Sequence, residues 1–127
     1  MNSWFIPGNV PSSKNSRQWT GKYFIASKST QLYRKDTEKY WTDYKESFLE
    51  AISGIKPPYV IMFEFIRGTK HKFDYVNPLQ TIQDEMVKHG WIEDDNADIL
   101  IPILIKYKYD KNNPGVRIYI ANNEKAE

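Results

Sequence analysis

Residues 27–52 constrain the fold more tightly than any other stretch. Tyr33, Thr37, Tyr40, Trp41, Tyr44, Phe48 and Ile52 recur at spacings of three and four, the signature of a helix with one buried face. Arg34, Lys35, Lys45 and Glu46 fall on its other faces. Ser27 is a natural N-cap, Ser53-Gly54 a stop, and Pro57-Pro58 bars continuation. A helix with one apolar face needs a second layer to cover it. The next run, YVIMFEFIR at 59–67, is β-branched and aromatic, and predicts a mostly buried strand.

The rest of the chain supplies shorter elements. Trp4-Phe5-Ile6 reads as a first strand, ended by Pro7-Gly8. PGNVPSSKNSRQWTGK is rich in Pro, Gly, Ser and Asn and predicts a loop, after which Tyr23-Phe24-Ile25 is a short strand or an extended lead-in. RGTKHK is a basic loop. Asn77-Pro78 predicts a helix start with Asn77 as cap; Leu79, Ile82, Met86 and Val87 form its apolar face, and Gly90 takes the left-handed cap. Residues 99–109 predict a strand in which Pro102 marks an edge or a bulge. DKNNPG predicts a turn, and residues 116–121 are expected to pair back as the final strand. The order β–(β)–α–β–α–β–β predicts an α+β fold: a small mixed sheet packed with one long and one short helix. With 127 residues, one domain over 1–121 and a tail over 122–127 are expected.

Composition removes several kinds of chemistry. There is no cysteine, so disulfides and thiolate metal sites are excluded. Two histidines cannot build a His-rich zinc site alone. No apolar run approaches the roughly 20 residues that span a bilayer, and MNSWFIPGNVP lacks the basic and apolar regions of a secretion signal. An intracellular, cytoplasmic protein without membrane contact is expected. The net charge of +2 is small, but its distribution is informative. Lys and Arg dominate up to Asp74, whereas residues 84–98 hold six acids against Lys88.

Those acids bracket the second helix: Asp74 before it, Asp84 and Glu85 on it, Glu93, Asp94, Asp95 and Asp98 after it. About twelve helical residues span some 18 Å, so the flanking acids meet only if the chain folds back. Gathered carboxylates suit Mg²⁺, a hard ion that takes one or two of them and keeps water elsewhere. The alternative is a solvated EDD turn with Asp74 as a helix-capping acid. SSKNSRQWTGK and RGTKHK have the residues of phosphate grips, with Trp19 and Tyr23 available to stack on or wedge between bases; an ordinary solvated loop explains them equally. His71 is a candidate general base or phosphate donor, and His89 a helix C-terminal cap.

Three stretches carry a family resemblance. IPGNVPSSKNSR resembles a strand followed by a Pro-Pro-Ser-x-Asn loop, the helix with Tyr33 matches a long first helix, and KFDYVNPLQTIQDEMVKHGWIEDD matches a basic run, Asp-x-Asp-Asn, a helix with an internal Asp, then Asp-Asp. In order and spacing the chain resembles the RusA family of Holliday junction resolvases, with about one residue inserted near Pro78. The resemblance implies a homodimeric, Mg²⁺-dependent endonuclease (Mn²⁺ can substitute), bacterial or phage-encoded, that nicks four-way DNA junctions in recombination and repair. It implies catalytic acids at Asp74 and Asp95 with Asp94 beside them, and metal ligation by Asp74, Asp95, Asn77 and Asp84. Lys14, Asn15, Arg17, Lys70 and Lys72 would contact DNA. Two positions depart: the second family aspartate falls on Val76 or Asn77, and the early helix lysine on Thr81. A non-catalytic DNA-binding relative is therefore the rival expectation, and a structural or partner-binding domain a third.

Overall fold

Two runs with apolar side chains at every second residue make the middle of the sheet. In the computed structural model, which describes residues 2–12, 17–19 and 24–122, the elements are β1 (Ser3–Pro7), β2 (Arg17–Trp19), β3 (Phe24–Ala26), α1 (Lys28–Ile52), β4 (Tyr59–Arg67), α2 (Val76–Lys88), β5 (Leu100–Leu104), β6 (Lys108–Tyr109) and β7 (Gly115–Ile120). The main sheet runs β1-β7-β4-β5, with β6 also beside β4. β7 is antiparallel to β1 and β4, while β5 and β6 run parallel to β4. Parallel neighbours need a crossover, and α2 supplies it. The α+β class, the mixed sheet and the two helices are as expected.

The final strand does not pair back on residues 99–109. β7 inserts between β1 and β4, where Ile118 faces Trp4 and Phe63, and Val116 faces Ile6 and Phe65. All six side chains are buried, and the central place also gives β7 backbone partners on both sides. Residues 99–109 form two strands, not one. Tyr107 breaks the ladder, because its amide donates to the Tyr75 hydroxyl at 2.9 Å instead of to β4. Pro102 stands in the edge strand, as its missing N–H requires. The N-terminal loop also holds more structure than expected: β2 pairs with β3 as a separate ribbon.

Ser27 caps α1, its Oγ accepting from the Thr30 amide at 3.3 Å. The predicted stripe faces inward, with Tyr33, Thr37, Trp41, Phe48 and Ile52 buried and Tyr40 and Tyr44 at its margin. α2 starts earlier than predicted. Tyr75 is already αR, the Asn77 amide donates to the Asp74 carbonyl, and Asn77 and Pro78 lie inside the first turn. Pro78 is still tolerated there, because first-turn amides lack helical acceptors. Both helices pack on the sheet face carrying Ile6, Ile61, Phe63 and Ile118. The other face carries Phe5, Val60, Met62, Ile66, Ile101 and Ile103, none of them fully buried. Asn122 is pinned at the start of β4, its Oδ1 accepting from the Val60 amide and its Nδ2 donating to the Pro58 carbonyl.

Candidate active site

The return of the chain after α2 decides which acids meet. Gly90, with φ +78°, supports the reversal that a side chain would resist. Trp91 then fixes its course: the indole stacks on Phe48 at 4.6 Å between centroids and donates from Nε1 to the Trp41 carbonyl at 2.9 Å. Residues 93–95 consequently run back along the flank of α2. Asp95 Oδ2 accepts from Gln80 Nε2 and from Gln83 Nε2, each at 3.3 Å. Gln80 Nε2 also donates to Asp84 Oδ1 at 2.8 Å. Asp84 and Asp95 are thus joined through one amide, on a helix face where positions three and four apart coincide.

An ionic chain continues from this pair to the buried Glu85. Arg34 of α1 places Nη2 3.9 Å from Asp84 Oδ2 and Nε 2.9 Å from Glu85 Oε1. The second contact is an ion pair without hydrogen-bond alignment, since neither atom has a hydrogen-bond partner among the described residues. Glu85 Oε2 lies 3.2 Å from His89 Nε2, and the His89 ring stacks on Trp41 at 9° between planes. His89 therefore does more than end the helix.

The other predicted acids stand apart from this pair. Asp94 accepts from the Asp95 amide at 2.7 Å and, through its second oxygen, from Asn96 Nδ2 at 2.9 Å. These donors, the backbone amide foremost, hold its carboxyl below the usual range. Asp74 is exposed at the head of α2 and lines an open cleft of about 390 Å³ with Lys72, Phe73, Tyr75 and Tyr107. Asp95 meets α2 at Gln80, six residues further on, or about 9 Å along the axis at helical rise. Asn77 is half-buried, and its carbonyl accepts from Thr81 Oγ1 at 3.5 Å. Among the described residues no three His, Asp or Glu side chains gather closely enough to hold an ion together. The donor chemistry nevertheless fits Mg²⁺, for which one or two accessible carboxylates and a water shell suffice.

Of the two basic loops, the 68–72 loop stands at the Asp74 end of the molecule. Lys72 lies beside Asp74 in the cleft, and Lys70 places Nζ 5.0 Å from the centre of the Tyr109 ring. Phe73, Tyr75 and Tyr107, which line the cleft, pack edge to face against one another. His71 is exposed. Lys14, Asn15 and Tyr23 lie outside the described residues, as do the side chains of Arg17 and Trp19, although Arg17 opens β2. Sequence reasoning passed over Gln80, Gln83, Arg34 and Arg67. Gln80 was detectable from its spacing of four to Asp84, and Gln83 from its spacing of three to Gln80; the arginines had no local signal, because their hydrogen-bond and ion-pair partners are far along the chain. No protein-family model matches this chain, and no curated protein matches it significantly.

Proposed function

We propose that this chain is a RusA-like, structure-selective DNA endonuclease that resolves four-way junctions with Mg²⁺ or Mn²⁺. The observation that carries the proposal is the return after Gly90, which brings Asp95 to Asp84 on the flank of α2 while Asp74 heads the same helix beside Lys72. Asp95 and Asp84, already joined through Gln80, would begin the ion site, and Asp74, Asn77 and Asp94 would enter it by moving toward the ion. Bound there, it would supply an activated water and neutralise charge on the phosphoryl group. Lys70 and Lys72, with Lys14, Asn15 and Arg17, would grip backbone phosphates. An intracellular homodimer fits this activity, since symmetric nicking needs two sites. The half-covered apolar face of the sheet, including Met62, Ile101 and Ile103, is available for such an association.

Cleavage of a synthetic four-way junction with Mg²⁺ or Mn²⁺ tests the proposal. Wild-type protein should nick opposing strands, and Asp74→Asn and Asp95→Asn should each abolish nicking; variants that cut as well as wild type would sink the assignment. One observation favours the non-catalytic alternative: Val76, one of the two positions on which the family's second acid falls, is 66 % exposed and offers no ligand. That alternative expects salt-dependent junction binding with no metal-dependent cleavage.

A further inference from the structure

We infer that Arg67 is a positioning residue that locks the stem of the N-terminal basic loop to the 68–72 loop and to the head of α2, so that all three meet DNA as one surface. The inference rests on the DNA-binding reading above. Arg67 ends β4 and is only 4 % exposed. Its Nη1 donates to the Val10 carbonyl at 2.7 Å and its Nη2 to Ser12 Oγ at 2.9 Å. The guanidinium lies 4.7 Å from the centre of the ring of Phe73, the residue that precedes Asp74 in the chain. A second tie lies alongside, where the Gly68 amide donates to Asn9 Oδ1 at 2.9 Å.

The choice of residue at position 67 is informative. A buried cation costs several kcal/mol, and a carboxylate partner usually offsets part of that. The partners of this guanidinium among the described residues are a carbonyl, a hydroxyl and an aromatic ring, and its Nε has no hydrogen-bond partner among them. An apolar side chain would serve a core better. What only arginine provides is a flat fork that reaches two acceptors two residues apart while stacking on a ring. That one group registers the 10–12 segment and Phe73 on the end of β4. The loops that follow the 10–12 segment and β4 carry four of the five DNA contacts proposed above.

Arg67→Met and Arg67→Lys, with Asn9→Ala as a milder break of the same tie, separate this role from general stability. In the free protein, hydrogen exchange at Gly68 should accelerate at least tenfold in Arg67→Met and in Asn9→Ala, and trypsin should cut at Lys14 or Arg17 correspondingly faster. Amides of α1 and α2 should keep wild-type protection. On a labelled four-way junction, affinity should fall at least tenfold, and the slope of log K against log [NaCl] should flatten by about two contacts' worth. Arg67→Lys should recover the affinity only in part. Wild-type exchange at Gly68 in both Arg67→Met and Asn9→Ala would overturn the inference, as would a released loop with unchanged salt slope. Should Arg67→Met fail to fold, Arg67→Lys decides by the same exchange and affinity readouts. If wild-type protein binds no junction, the functional proposal fails, and the inference with it, while exchange and proteolysis still judge the tie between the loops.

Discussion

Replacing Arg34 by methionine tests the ionic chain that joins the two helices. Methionine keeps much of the length and removes the charge, leaving the Glu85 carboxylate, 1 % exposed, with His89 as its remaining partner. Breaking a fully buried pair by removing one partner costs about 3–5 kcal/mol. Arg34 itself is 32 % exposed, so solvent already screens the pair, and the expected loss is about 2–3 kcal/mol. For a chain of this size that corresponds to a fall in melting temperature of roughly 6–15 °C. Urea unfolding followed by tryptophan fluorescence reads the change directly, because Trp41 and Trp91 are buried beside the network. The double variant Arg34→Met/Glu85→Leu should recover to within about 1 kcal/mol of wild type, since it removes the stranded charge. A loss below about 0.5 kcal/mol in Arg34→Met would refute the reasoning, because Glu85 would then be solvated or otherwise compensated.

Tyr33→Phe should stabilise the protein by about 1–3 kcal/mol in urea unfolding, because it deletes a buried hydroxyl with no hydrogen-bond partner among the described residues. Burial first, and Glu85 second, raise the Tyr33 phenol well above its ordinary value; the unfolded chain therefore releases this proton first. Wild-type stability should accordingly fall relative to Tyr33→Phe above about pH 10, by up to about 1.4 kcal/mol per pH unit. Gly115→Ala should cost about 3 kcal/mol by the same assay, since its Cβ would overlap the Phe5 ring and stand 2.5 Å from the Ile6 carbonyl oxygen. Asp94→Ala should speed amide exchange at Asp95, whose N–H it leaves without an acceptor. The Asp94 carboxyl is held low in the folded chain, so any stability difference from Asp94→Ala should be present above about pH 4 and vanish as the pH falls through the folded value.

Local periodicity carried most of the architecture. The α1 stripe, its serine cap, β1, β4 and the Gly90 stop all depend on residues near one another in the chain, and each stands as read. The misreadings are non-local or lie at boundaries. β7 looked like the return arm of a hairpin, because the turn at 110–114 says nothing about which strand will accept it. Its buried row, Val116, Ile118 and Ile120, earns a central place that only the assembled sheet reveals. The split at Tyr107 depends on a hydroxyl 32 residues away. Asn77-Pro78 suggested a helix start, but the turn accepted by the Asp74 carbonyl moved the boundary upstream.

The acids illustrate the same division. Their crowding around one helix was evident in the sequence, and so was the need for the chain to fold back. How far it folds back is set by Trp91, an aromatic residue with no part in acid chemistry. With the indole fixed against Phe48 and the Trp41 carbonyl, Asp95 returns to the level of Gln80 and Asp84, not to that of Asp74. The amide of Gln80 then does locally what a cation would do, holding two carboxylates together through donated hydrogens. A metal ion that took Asp95 would compete with that amide for the same oxygen. Gln80→Ala should therefore weaken Asp84–Asp95 pairing in the free protein yet strengthen Mn²⁺ binding, measured by calorimetry or paramagnetic relaxation. Weaker Mn²⁺ binding in Gln80→Ala would instead mean that the amide organises the acids for the ion.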